Sequence, residues 1–147
     1  MAKIQIKITG LKEAKSALKK VSDTVEIELD SQLANSANRI RTAARAKATE
    51  NLKEVGQNWV YEHEHLVHQV HNQLFWAPFA EFGTGPFAAK TVAPYDPEWQ
   101  EHAKQFYRNG EGTMPATPML YPAVKEEELK LPKILEKAIR EEINKSK

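Results

Sequence analysis

The sequence predicts an α+β domain: an antiparallel β-sheet packed by a long α-helix, with a short helix before a Glu-Phe-Gly-Thr-Gly loop and a helix at the C-terminal end. Three patterns carry that prediction. Ile4, Ile6 and Ile8 alternate with Lys3, Gln5 and Lys7, the period of two that gives a strand one buried and one solvated face. Leu29, Leu33, Ala37, Ile40, Ala44 and Ala48 recur at helical spacing over a long stretch. Leu135, Ala138, Ile139 and Ile143 do the same near the end of the chain, among lysines and glutamates.

The elements follow in order. Gly10 ends the first strand, and Leu11, Ala14, Leu18 and Val21 then mark a short amphipathic helix with its lysines turned elsewhere. Ser22-Asp23-Thr24 supplies an N-cap for the long helix, expected over about Val25 to Glu50 and therefore roughly 39 Å long at 1.5 Å per residue. Asn51 to Asn58, with Gly56 and two asparagines, reads as a loop. Trp59 to Asn72 is rich in aromatic, β-branched and histidine residues and reads as two strands paired in a hairpin, with the turn or bulge near Glu62 to His65. Pro78 leads into a short helix that stops at Gly83. Residues 87–114, punctuated by Pro94, Pro97, Gly110 and Gly112, read as a long loop excursion with one helical turn near Pro97 to Tyr107. Pro118 to Leu129 forms an earlier helix, and Pro132 is placed to open a separate terminal helix over 132–147.

Composition narrows the function classes. At 147 residues and 41% hydrophobic content the chain suits one domain, which at this size buries roughly 68–70% of its unfolded surface. The absence of cysteine excludes disulfides, thiolate metal sites and a cysteine nucleophile. No apolar run reaches the roughly 18 to 20 residues that span a bilayer, and Met1 to Gln5 lacks a signal-peptide core, so no membrane partner is expected and synthesis in the cytoplasm is. The net charge of +1 hides an asymmetry: residues 1–50 hold ten Lys+Arg against six Asp+Glu, and residues 51–110 four against seven. That is not the clustered basic face of a dedicated nucleic-acid binder.

The most specific strings are Phe79-Ala80-Glu81-Phe82-Gly83-Thr84-Gly85-Pro86 and, downstream, Pro118-Met119-Leu120-Tyr121-Pro122-Ala123. Gly83 can adopt the left-handed dihedrals that close a helix, and Gly85 before Pro86 is expected to keep the exit extended. With the N-terminal strand, Thr9-Gly10-Leu11 and the alanine-bearing helix in the same order, the chain from Ile4 to Ala123 resembles the tail-completion proteins of long-tailed bacteriophages. These are also called minor tail or head-tail joining (neck) proteins, and they carry an E-F-G-T segment followed by P-x-x-P-F-L-x-P-A. Two features depart from that pattern. Glu54-Val55-Gly56-Gln57-Asn58-Trp59 stands where an Asp-Thr-Gly-x-Leu-x-x-Ser stretch is usual, and Met119-Leu120-Tyr121 replaces Phe-Leu.

The resemblance implies a virion structural protein of a phage or prophage, made in the bacterial host and located in the tail or neck. It implies a ring of copies of itself, commonly six-fold, in contact with head-connector and tail-tube or tail-terminator proteins, with double-stranded DNA passing through without sequence-specific binding. Neither catalysis nor a cofactor is implied. Phe79, Glu81, Phe82, Gly83, Thr84, Gly85, Pro118, Leu120, Tyr121 and Pro122 are then the shape-setting residues, and Glu81 fixes the loop by an ion pair or hydrogen bonds. Weak or absent self-association is expected in isolation.

Two other constellations carry chemistry of a different kind. His63, His65, His68 and His71 suggest a metal-binding protein or metal-dependent enzyme as the alternative, although no spacing such as H-E-x-x-H is present. On strands, single-chain parity puts His63, His65 and His71 on one face and His68 on the other, and a solvated or subunit-facing side is expected for them. Arg39, Arg41, Arg45 and Lys47 lie in an acid-free stretch, but at about 100° per residue they form no single stripe, so solvated helix surface or ring-interface charge is expected. No Ser-His-Asp order, nucleophile elbow, phosphate-binding glycine loop or paired-carboxylate motif stands out.

Overall fold

A computed structural model of the chain describes residues 5–7, 23–106 and 111–145. Its three strands are β1 (Gln5–Lys7), β2 (Trp59–Glu64) and β3 (Val67–Asn72), in the order β1-β3-β2 with both neighbouring pairs antiparallel. The helices are α1 (Asp23–Ala46), α2 (Lys53–Gln57), α3 (Ala77–Phe82), α4 (Pro86–Val92), α5 (Pro97–Ala103) and α6 (Leu120–Lys145), with 3-10 turns at Glu50–Leu52 and Lys104–Phe106. The α+β architecture is as the sequence predicts. The short helix expected from Leu11 to Val21 lies outside the described residues.

Helix α1 forms where the apolar period is longest, and Val25, Leu29, Leu33, Ala37, Ile40 and Ala44 are its buried face. Asp23 and Glu26 in the first turn and Arg45 in the last complement the helix dipole. The stripe meets two groups of partners. Val25, Leu29 and Leu33 close with Leu66 of the hairpin turn over Leu131, Leu135 and Ile139 of α6. Ala37, Ile40 and Ala44 join the main core around Trp59, Val70, Phe82, Phe106, Met119 and Leu120. Burial of each large apolar side chain is worth about 1.5–3 kcal/mol, and small alanines let α1 lie close to the sheet.

Four local expectations differ from the structure. The stretch 51–58 is a 3-10 turn and α2, not a loop: Leu52 and Val55 are buried against the core, and Gly56 sits where a Cβ would come within 2.6 Å of Ala48 Cβ. The hairpin turn is at His65 and Leu66, later than expected, because Leu66 is the residue whose side chain is drawn into the α1–α6 core. The excursion over 87–114 has the helical turn expected near Pro97, as α5 and a 3-10 turn, but also α4, and Ala88, Val92, Ala103 and Phe106 are buried, so packing orders more of it than its proline-rich composition suggests.

Finally, Pro132 does not open a terminal helix; it lies inside one continuous helix, α6. Its ring is exposed while Ala123, Glu127, Ala138 and Glu142 continue the buried stripe on both sides, so packing on α1 holds together what the proline interrupts.

Candidate functional site

The two motif segments meet around one carboxylate. Glu81, in the last turn of α3, is fully buried. Its Oε2 accepts the amide N–H groups of Met119 (2.7 Å) and Leu120 (3.0 Å), and its Oε1 accepts that of Tyr121 (2.8 Å). Those are the orphan donors at the start of α6, which a helix must satisfy from outside itself. The next residue is Pro122, which has no N–H to satisfy. A distant side chain thus does the work of an N-cap, and its charge faces the positive end of a 26-residue helix. Burial pushes the Glu81 carboxyl above the ordinary carboxylate range, while the three amides pull the other way.

The Gly83 to Gly85 loop shapes this contact. Gly83 (φ 77°, ψ −172°) donates to Phe79 C=O at 2.8 Å, and a Cβ there would lie 2.9 Å from both Met114 O and Ala116 N. Gly85, expected to be extended, instead takes φ 54°, ψ −130°. The reason is that Pro86 begins α4 at once, so the chain must reverse within three residues, which only glycine does freely. Thr84 fastens the incoming segment 111–118: its N–H donates to Met114 C=O and its Oγ1 accepts the Met114 N–H, both at 3.0 Å. Thr117 N–H donates to Ala80 C=O at 2.7 Å.

Aromatic rings surround the clamp. Phe82 is fully buried and stacks on Phe106 at 5.8 Å, and half-buried Phe79 meets the same ring edge-on at 5.5 Å. Tyr121 stacks on Tyr95 at 3.5 Å, Leu120 is fully buried, and Pro118 and Pro122 are half-buried at the entrance to α6. The structure therefore brings all ten predicted motif residues into one neighbourhood. Of the three donors that Glu81 bonds, Leu120 and Tyr121 belong to the predicted set and Met119 does not; three amide-bearing residues followed by a proline are the signal that points to it.

The histidines are distributed otherwise than single-chain parity suggests. The two-residue turn shifts the register so that His63 pairs opposite His68, and His71 opposite Val60 on the other face. His68 and His71 are buried, not solvated. His68 Nδ1 lies 2.6 Å from the Tyr61 hydroxyl and Nε2 lies 2.8 Å from Asp30 Oδ1, so both ring nitrogens are engaged. Asp30 also accepts the Leu66 N–H at 2.8 Å. Desolvation works to raise its pKa, but the bonds from His68 and the Leu66 amide outweigh it and hold the carboxyl below the usual range. His63 and Tyr61 stack alongside, and His65 lies 3.7 Å from Glu26. This chain of contacts ties the hairpin to α1. Among the described residues no three His, Asp or Glu side chains are arranged to hold a metal ion.

Arg39 and Arg45 of α1 are exposed, Arg41 and the following Lys47 are half-buried, and several of these side chains reach neighbouring elements. Arg39 makes a bidentate bond to Glu127 of α6, which also accepts the Ser36 hydroxyl at 2.8 Å. Burial works to raise the Glu127 pKa, but Arg39 and Ser36 hold it below the usual range. Lys47 pairs with Glu126 at 3.0 Å, and Arg45 donates to Trp59 C=O at 3.0 Å. The charge expected on the solvated helix surface is exposed at Arg39 and Arg45, and the same side chains also tie α1 to α6 and β2. A shallow cavity of about 280 Å³ lies beside Arg45, Thr49, Lys53 and Gln57, away from the motif residues.

The fold and site define an α+β protein whose motif residues form an internal clamp on the C-terminal helix. Compared with family models, curated proteins and solved structures, the chain matches none. No helix among the described residues is long and apolar enough to cross a membrane.

Proposed function

We propose that this chain is a structural subunit of a phage or prophage virion that joins the tail to the head connector, acting through assembly and not through catalysis. The observation that carries this reading is the Glu81 clamp. A carboxylate that is sealed from solvent and holds three main-chain donors has no access to a substrate, and its chemistry is to fix one helix against another. The most specific residues of the sequence are therefore devoted to shape. In this reading the subunits form a ring, commonly six-fold, against connector and tail-tube or tail-terminator proteins. DNA passes through the ring without being read, in keeping with basic side chains of α1 engaged within the chain. His68, with both ring nitrogens occupied, favours a structural role over metal ligation.

The test is deletion of the gene from the phage or prophage that encodes it, followed by induction and electron microscopy of the lysate. Filled heads and tails that fail to join, rescued by the wild-type chain supplied in trans, are expected. Normal joined particles in the deletion strain, or a genomic setting without portal, capsid and tail-tube genes, would overturn the proposal.

A further inference from the structure

Among the described residues no strand pairs with the outer edge of β2. In the hairpin, Glu64, Glu62 and Val60 pair with Val67, Gln69 and His71, and a two-residue turn makes these the pairs that exchange main-chain hydrogen bonds. The alternate residues Trp59, Tyr61 and His63 then direct their N–H and C=O groups away from the sheet. Two contacts agree with that phase. Gln73 N–H donates to Asn58 C=O at 3.3 Å, continuing the even-numbered series, and the Trp59 carbonyl accepts Arg45 Nη2 at 3.0 Å from outside the ladder. Arg45 closes one end of the edge. The main-chain groups of Tyr61 and His63 have no partner among the described residues.

We infer that this edge receives strand β1 of a second copy of the chain. An exposed edge is a template for another strand unless it is guarded, and among the described residues only its charge and Arg45 at one end guard it. Glu62, His63 and Glu64 are all exposed, so the edge is flanked by acids. The strand at the opposite edge of the same sheet is β1, set in the stretch Lys3-Ile4-Gln5-Ile6-Lys7-Ile8, which contains two lysines and no acid. The two edges are thus complementary in charge as well as in hydrogen bonding. Pairing unlike edges is a heterologous contact, which repeats head to tail from copy to copy and closes into a ring when the rotation allows. Direction is compatible: β1 and β2 are each antiparallel to β3 and so run the same way, and a copy rotated about an axis along the strands adds its β1 parallel to β2. With only three residues in β1, the ladder is short, and the contact is weak unless many copies are gathered.

This inference rests on the assembly reading above, and its test separates the two. The chain has no cysteine, so introduced thiols report without background. Purified Gln5→Cys and Glu62→Cys single variants, whose positions share one face of the sheet by register, are mixed at high concentration and oxidised, and the double variant is oxidised alone. Lys7→Cys in place of Gln5→Cys covers the neighbouring register. The expected result is a disulfide-linked dimer from the mixture, a ladder of multimers from the double variant, and neither product from either single variant. Glu64→Lys on the Glu62→Cys partner should suppress the dimer at least several-fold, and Lys3→Glu with Lys7→Glu on the other partner should restore it. No cross-link at any concentration, or cross-linking of Glu62→Cys only to itself, overturns the edge pairing. Cross-linking combined with normal particles in the deletion strain keeps the edge and removes the tail role; joined particles lost on deletion but no cross-link removes the edge alone.

Discussion

Replacing Glu81 should cost the fold more than any other single polar substitution. Glu81→Ala leaves the amides of Met119, Leu120 and Tyr121 without an acceptor, and Met119 and Leu120 are fully buried, so water cannot take the carboxylate's place. An abandoned buried donor costs about 1–3 kcal/mol, and loss of a favourable charge at a helix N-terminus adds up to about 1 kcal/mol. Counting two buried donors fully and Tyr121 weakly, Glu81→Ala should lose about 4–6 kcal/mol, a large part of the 5–15 kcal/mol that holds a typical domain together. Glu81→Gln keeps the shape but turns an NH2 group toward N–H donors, so a loss of about 2–3 kcal/mol is expected. At about 2–4 °C per kcal/mol for this chain length, the glutamine variant should melt about 4–12 °C lower. Urea titration followed by far-ultraviolet circular dichroism measures both, and the glutamine variant keeps the test readable if the alanine variant fails to fold. A Glu81→Ala protein within about 1 kcal/mol of wild type would show that the helix start is satisfied some other way.

Other perturbations test separate parts of the structure. Gly83→Ala should destabilise by about 2–4 kcal/mol in the same titration, since positive φ and two backbone atoms at 2.9 Å oppose a Cβ, and a loss under about 1 kcal/mol would contradict that geometry. Leu66 is buried at φ 57°, so Leu66→Ala should cost about 2–4 kcal/mol while Leu66→Gly, relieved of the left-handed strain, should be no less stable than the alanine variant, reversing the usual order. Tyr61→Phe should cost about 1–2 kcal/mol by leaving His68 Nδ1 unpaired in the interior. Asp30 has its pKa depressed on folding, so the unfolded chain binds more protons in acid; its contribution is present above the ordinary carboxylate value and lost as pH falls through the lower folded value. Asp30→Asn should therefore flatten the acid limb of a stability-against-pH curve, and an unchanged limb would count against the His68 contact.

What the sequence made legible depended on whether the deciding interaction was local. The periodicity of Leu29 to Ala44 and the turn-forming Gly83-Thr84-Gly85 announce themselves because each is fixed within a few residues by helix geometry or by φ. That Glu81 would accept hydrogen bonds was legible as well, since a carboxylate between two phenylalanines at a helix end needs donors. Its partners lay about 40 residues away, and nothing local names them. Where the reading missed, long-range packing had decided. Pro132 stops an isolated helix, yet it stands on the exposed side of α6 while Leu131, Leu135 and Ile139 lie over Val25, Leu29 and Leu33, so the buried stripe carries the helix through. Helix α4 arises in a proline-rich stretch, beyond the turn expected near Pro97, because Ala88 and Val92 have a core to join. The histidines show the sharpest dependence. A turn at His65 and Leu66, set by where Leu66 can be buried, exchanges which residues face α1, and this one placement takes His68 from the surface to a hydrogen-bonded link between hairpin and helix. Period-two parity holds only within a strand; across a hairpin the turn decides, and the turn is chosen by the core.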